Sequence, residues 1–331
     1  MDTFLFAANA VMPIVLLVAF GYFLKRIGVL DMEWLNKANK FAFRFLLSVL
    51  LFYNTYNIES LSISDLKFAL FAVVATVLLC LAAVLFTLPW RRQPASRGAL
   101  IQAIFRSNYA IIGIPLATSL FGDEGAAAAS LLSAISIPLY NTLAVIVLTI
   151  FDPTEESSSG KFPFKKILKG VVTNPLILGV AAGFVCQGIR ALLAAGGISW
   201  RLKDVAFLYT AIKNVASIAS PFMLIILGGR FEFSAVKEKW APITVGVVLR
   251  LIVSPILCLG AAMLFMPEMT GGQFSAILAL FCTPTAVASA VMAKEMHSDD
   301  VLAGQLVVWT TVLSMFTLFG IIMFFRSVGR L

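Results

Sequence analysis

Arg106, Ser107 and Asn108 interrupt an apolar stretch that runs on through Gly113 to Pro115, and Thr283, Pro284 and Thr285, followed by Ser289, interrupt another. Guanidinium, amide and hydroxyl groups in greasy surroundings are suited to holding an anion, because charge-assisted hydrogen bonds strengthen where water is excluded. Proline lacks an amide hydrogen and clashes with the preceding turn, while Gly113 tolerates unusual dihedrals. Each stretch is therefore expected to split into two half-helices, beginning near Pro115 and Pro284. Their free amide groups and positive dipole ends would favour a carboxylate or another small anion. Simple kinks in packed helices are the plainer alternative. Arg250 is a second arginine deep in an apolar run, where insertion costs about 2.5–3.5 kcal/mol. With no Asp or Glu in the middle of any such run, Arg106 and Arg250 need a bound anion, backbone carbonyls or a route to the membrane edge.

Catalysis finds no support in the same residues. There is one histidine, His297, in a charged Lys294–Asp300 turn, and neither an H-E-x-x-H nor a G-x-S-x-G pattern. Cys80, Cys186, Cys258 and Cys282 are dispersed in apolar segments, so no metal site, cofactor or disulfide framework is expected.

The elements that must position these groups follow from composition. The 331 residues are 60% apolar and 13% charged, with a mean hydropathy of +0.96, too little polar surface to cover a water-soluble fold. Lipid is the expected solvent. Ten stretches are long enough to span it, at roughly 4–24, 41–58, 68–89, 98–121, 125–150, 171–194, 205–228, 241–265, 273–293 and 301–325. With ten spans, fifteen basic residues from Lys25 to Lys294 fall on one set of loops, against six (Lys67, Arg190, Arg201, Lys203, Arg326, Arg330) on the other. The excess of positive charge on cytoplasmic loops then places both termini outside the cytoplasm. The net charge of +8 reads as topology, not as a nucleic-acid surface. Arg44 and Lys213 lie nearer span ends and are expected to snorkel.

The polar connection from Asp152 to Gly170 holds the low-complexity run Glu155–Gly160 and separates five spans from five. This suggests three parts: a first five-helix repeat at 1–150, a cytoplasmic linker at 151–170, and a second repeat, inverted in topology, at 171–331. Pro13 and Gly21 in the first span share their eight-residue interval with Pro175 and Gly183 in the sixth. The interrupted fourth and ninth spans hold corresponding places in the two halves. Breaks at matching places predict a polar site near the bilayer centre, because unwound backbone survives there only when buried in protein or facing water.

At these residues the chain resembles the auxin efflux carrier family, which includes plant carriers and bacterial malonate-type transporters. The resemblance rests on Asn108 followed seven residues later by Pro115 in Gly113-Ile114-Pro115-Leu116. It continues in the Pro284 segment through Ala293-Lys294-Glu295-Met296 to Thr310, Thr311 and Ser314, with Asn141 also fitting the pattern. It implies an all-α membrane fold of ten helices in a five-plus-five inverted repeat, with crossing fourth and ninth helices that bind substrate. Asn108 would then hydrogen-bond the substrate, Pro115 and Pro284 would set the breaks, and Thr283, Thr285 and Ser289 would add polar contacts; Asn141, Thr310 and Ser314 are further polar candidates. The expected function is secondary transport of a small organic anion by alternating access, with sodium or a proton as candidate coupling ion. A receptor or regulator that binds an anion without moving it is the alternative. The short linker suits a compact bacterial form in the inner membrane, in contact with lipid and compatible with a homodimer.

Overall fold

The structure is a computed structural model that describes residues 2–57, 66–90, 93–153, 168 and 172–331. The low-complexity run Glu155–Gly160, most of the expected linker and the basic residues Arg91, Arg92, Lys161, Lys165, Lys166 and Lys169 lie outside the described residues.

The secondary structure of the described residues is helical, apart from one isolated bridge. In order come α1 (Asp2–Arg26), α2 (Met32–Phe41), a π-helical turn (Ala42–Leu46), α3 (Leu47–Tyr56), α4 (Leu66–Phe86), α5 (Pro94–Phe105), a second π-helical turn (Tyr109–Gly113) and α6 (Ile114–Ile150). After the linker follow α7 (Pro175–Ala195), α8 (Ala206–Gly229), the short α9 (Ser234–Glu238), α10 (Trp240–Val248), a third π-helical turn (Leu249–Val253), α11 (Ser254–Phe265), α12 (Gly271–Cys282), α13 (Ala288–Glu295) and α14 (Asp300–Ser327). Local chemistry sets many of the ends. Asp31, Asn174 and Asp299 accept the amides of Trp34, Leu176 and Leu302 at the starts of α2, α7 and α14. Thr270 and Gln273 form a reciprocal capping box on α12.

Among the described residues, six stretches are long and apolar enough to cross a membrane: Lys67–Phe86, Tyr109–Ile150, Pro175–Ala195, Ala206–Arg230, Trp240–Phe265 and Asp300–Ser327. Their outward faces are apolar, with Phe207 80% exposed and Ile256, Leu192 and Leu264 similarly bare, which only lipid makes favourable. The protein is a multi-pass membrane protein. Two features make simple helix counting fail. The stretch Tyr109–Ile150 turns sharply at Phe121–Gly122, where Gly122 takes φ 54°, so one apparent helix is two. Conversely α5 and α12, twelve residues each, reach about 18 Å at 1.5 Å per residue, little more than half the hydrocarbon thickness.

The helices pack as two groups. In one, α1 lies along α8 and α3 along α7; in the other, α12 packs on α6 and α4 on α5, with α10, α11, α13 and α14 around them. Each group draws helices from both halves of the sequence. Where α1 crosses α8, Gly21 and Gly228 let the backbones touch, since a methyl on either would overlap Ile225 or Val18 main chain.

Candidate functional site

The site is built where two helices stop. α5 ends at Phe105, the chain turns extended at Arg106 (φ −93°, ψ 109°), and Asn108 (φ −82°, ψ 52°) is neither extended nor helical before the π-helical turn begins at Tyr109. α12 ends at Cys282, Thr283 is extended (φ −72°, ψ 155°) as a residue before proline should be, and helix resumes at Ala288. The two extended pieces cross as a minimal antiparallel pair, with Ser107 opposite Thr285. The Asn108 amide donates to the Pro284 carbonyl at 2.7 Å, and the Ala286 amide donates to the Arg106 carbonyl at 3.2 Å. Each break thus satisfies part of the other's backbone, which is what allows both at membrane depth.

The two prolines sit differently at the breaks: Pro284 lies between the end of α12 and the start of α13, whereas Pro115 stands at the start of α6. Pro115 lies in the first turn of α6, past the π-helical turn, and the chain leaves helix instead at Arg106–Asn108. In that turn the Ile114 amide reaches back to the Tyr109 carbonyl, a widened turn directly before the proline, and the Ser254 amide does the same to Leu249 ahead of Pro255. Proline here widens a turn, and a partner strand breaks the helix. Gly113 does not use the conformational freedom expected of it. Its dihedrals are ordinary right-handed helix (φ −66°, ψ −50°), and its role is space: a methyl there would overlap the Tyr109 ring.

The two deep arginines have opposite surroundings. Arg250 is fully buried, its Nε and Nη2 donating to the Thr283 carbonyl at 2.9 and 2.7 Å, its Nη1 to Ile104 at 3.0 Å, and its Nη2 also reaching Leu280 at 3.4 Å. A cation is thereby placed on the carbonyl ends of both α5 and α12, where the helix dipoles are negative. Arg250 is a clamp on the crossing, not part of the cavity wall. Arg106 instead lines the cavity, with Nη2 donating to Asn141 Oδ1 at 2.7 Å and Nη1 2.6 Å from Met292 Sδ. No carboxylate pairs with it among the described residues. Beside it the Asn108 Nδ2 is buried without a hydrogen-bond partner among the described residues, as is Ser289 Oγ.

The other expected polar contacts are spent on the fold. Thr283 Oγ1 donates to Ala279 at 2.9 Å and Thr285 Oγ1 to Ala103 at 3.0 Å, so neither hydroxyl faces the cavity. Thr310 accepts the Thr285 amide at 3.1 Å and donates to Leu306, and Ser314 donates to Thr311. Thr285 and Thr310 thereby tie the second break to α5 and α14, while the Thr283 and Ser314 hydroxyls are spent within their own helices. The structure adds Tyr140, Asn54 and Ser220 to the wall; Tyr140 accepts from Ser107 at 3.3 Å, and its one sequence signal is adjacency to Asn141 in an otherwise apolar span.

The cavity at the crossing is small, about 70 Å³. Arg106, Asn108, Tyr140 and Asn141 form one side, and Leu47, Leu50, Leu51 and Met223 face them from the other helix group. Through Asn54, Ala110 and Ile137 it adjoins a vestibule of about 700 Å³ bounded by Asn57, Glu124, Thr270 and Gln273. On the opposite face the helix groups are tied together. Arg230 pairs with Asp300 and donates to Asn36 at 2.7 Å, Asn39 donates to Glu295 at 2.9 Å, and Gln305 donates to the Glu232 carbonyl at 2.6 Å. Nearby, Asp299 accepts from Lys239 and Ser96, each at 2.6 Å. Burial alone would raise the Asp299 carboxyl pKa, but Lys239, Ser96 and the Leu302 amide outweigh it and hold it below the usual carboxylate value.

Comparison with known proteins finds similarity to membrane transporters. A relative from Methanothermobacter thermautotrophicus, described as an uncharacterized transporter, is 26% identical over 321 residues, covering 95% of this chain and 97% of its own. The family model described as membrane transport protein matches residues 6–322. A match of that extent, over a crossing assembled from the Asn108 and Pro284 segments, makes the chain a member of the auxin efflux carrier family of membrane transport proteins.

Proposed function

We propose that this protein is a secondary transporter that moves a small organic anion, a carboxylate, by alternating access at the crossing. The observation that carries the reading is Arg106. It lies on the wall of a cavity next to a large vestibule, has no carboxylate partner among the described residues, and sits beside the unspent amide of Asn108. The dipole layout supports the same sign of charge: Arg250 covers the negative ends of α5 and α12, while α13 and the turn opening at Tyr109 start at the crossing with their positive ends.

The proposed topology is ten spans in a five-plus-five inverted repeat with both termini outside the cytoplasm. Its support is that described helix occupies each of the ten apolar stretches and that two of them break at corresponding places. In that orientation the vestibule opens outward and the Arg230–Asp300 and Asn39–Glu295 contacts close the cytoplasmic face. The cycle requires the reverse: the contacts release, the two helix groups shift, and the vestibule closes. Uptake of labelled carboxylates into proteoliposomes, with and without imposed sodium or proton gradients, tests the reading. Asn108→Ala is expected to lower flux at least about tenfold at subsaturating anion, for loss of one buried hydrogen bond to a charged group. Normal flux in that variant would remove Asn108 from the site, and saturable binding without flux would assign the protein to a receptor role.

A further inference from the structure

On the face opposite the vestibule, one carboxylate serves two cations. Arg230 Nη2 pairs with Asp300 Oδ2, and Lys294 Nζ lies 3.8 Å from that same oxygen. The two cations belong to different helix groups. Arg230 follows the last residue of α8 and also donates to Asn36 of α2, which packs on α8. Lys294 stands in the last turn of α13, which packs on α14, the helix that carries Asp300. The neighbouring Asp299 is different, since Lys239 at the start of α10 and Ser96 of α5 hold it within one group. The Arg230–Asp300 pair also closes a seam that leads to the crossing. Met223 and Val287 line the crossing cavity; one turn further along α8 and α13, Ile226, Leu227, Ala290 and Val291, all buried, line a second cavity of about 40 Å³. One more turn along come Arg230 and Lys294.

Resting on the transport reading above, we infer that Asp300 is handed from one cation to the other as the seam opens: Arg230 holds it while the groups are together, and Lys294 keeps it when they part. Arg230 dominates the shut state because it is the nearer cation and the less exposed, at 14% of its side chain against 38% for Lys294. Were Arg230 the only partner, opening would strand a partly buried carboxylate without a counter-charge. Lys294 travels with Asp300 and removes most of that penalty. Two substitutions that each take a cation from one oxygen therefore act with opposite sign. Loss of Arg230 weakens the shut state, and loss of Lys294 weakens the open state. Cations that merely stabilised the fold would act alike.

The test places a cysteine in the seam, Val291→Cys, in the purified full chain and follows its modification by a charged maleimide, whose rate tracks how often the seam stands open. Mass spectrometry identifies the labelled residue, so Cys80, Cys186, Cys258 and Cys282 stay in place. Arg230→Gln is expected to speed labelling about fivefold and Lys294→Gln to slow it about twofold to fivefold, the range for ion pairs that solvent partly reaches. Asp300→Asn should label as fast as Arg230→Gln, and adding Lys294→Gln to it should change nothing further, because the shared carboxylate is gone. Shifts of the same sign for Arg230→Gln and Lys294→Gln in monodisperse protein overturn the inference. A Lys294→Gln effect that persists in Asp300→Asn also overturns it, whatever the yield of Arg230→Gln, and so does absence of labelling in every variant. Carboxylate flux through the native chain, measured in parallel, judges the transport reading separately: flux together with same-sign shifts leaves that reading standing and removes only the hand-off.

Discussion

Replacing Arg250 by alanine should loosen the crossing itself. The substitution removes the donors for the Thr283, Ile104 and Leu280 carbonyls, of which the contacts at 2.7–3.0 Å to Thr283 and Ile104 are the strong ones. Side-chain hydrogen bonds between membrane helices average about 0.6 kcal/mol and reach about 1.7 kcal/mol. Three short bonds therefore give roughly 2–5 kcal/mol. The upper half of that range is the expected one, because the residues carrying these carbonyls are buried and a favourable charge at two helix C-termini disappears with the bonds. At roughly 2 °C per kcal/mol for a chain of this size, unfolding in detergent should move down by about 6–10 °C. Intrinsic fluorescence and size-exclusion after heating read this directly, with Arg44→Ala, an exposed arginine, as the control. Arg250→Lys should fall between, since one ammonium cannot span carbonyls of both half-helices. If Arg250→Ala unfolds within a degree of the native protein but loses anion binding, the clamp is wrong and the guanidinium belongs to the ligand.

Two further outcomes follow from the geometry. Gly113→Ala drives a methyl into the Tyr109 ring and should cost about 1–3 kcal/mol by overpacking, with flux reduced because Tyr109 lines the cavity; an unchanged melting temperature would show that the ring has room to move. The lowered Asp299 carboxyl sets a pH dependence of definite sign. Its contribution to stability is complete above the usual carboxylate pKa and declines only as pH falls through the depressed value, so the ties to Lys239 and Ser96 should survive mild acid. Melting curves across the acid range should show this loss in the native protein and not in Asp299→Asn; equal acid sensitivity in both would refute it.

Much of this molecule is legible residue by residue. Composition alone makes lipid the solvent, because 13% charged residues cannot clothe a soluble core. The break after Cys282 is likewise a local matter, since Pro284 denies its neighbour Thr283 the helical region. Interrupted spans at matching places in the two halves point to a polar interior, while the crossing of those two spans was implied by the family resemblance. The other break was not a local matter, since the residues that release the chain at Arg106–Asn108 carry no helix-stopping signal of their own. Their missing hydrogen bonds are supplied by Pro284 and Ala286 from the far half of the chain.

The same reasoning separates the two arginines and the threonines. In sequence Arg106 and Arg250 look alike, each an unpaired cation deep in an apolar run, and Thr283 and Thr285 look like free hydroxyls. Arg250 and Thr285 were decided by partners 146 and 182 residues away, Ile104 and Ala103, whereas the Thr283 hydroxyl is spent on Ala279 in its own helix. Hydrophobic pattern and proline chemistry act over a few residues, so they establish that lipid surrounds the chain and that polar groups gather in its interior. A buried donor, by contrast, is spent or free according to which carbonyl the packing brings within 3 Å. That is a property of the assembled helices, and it leaves Arg106 and Asn108 facing a cavity while Arg250 holds the crossing closed.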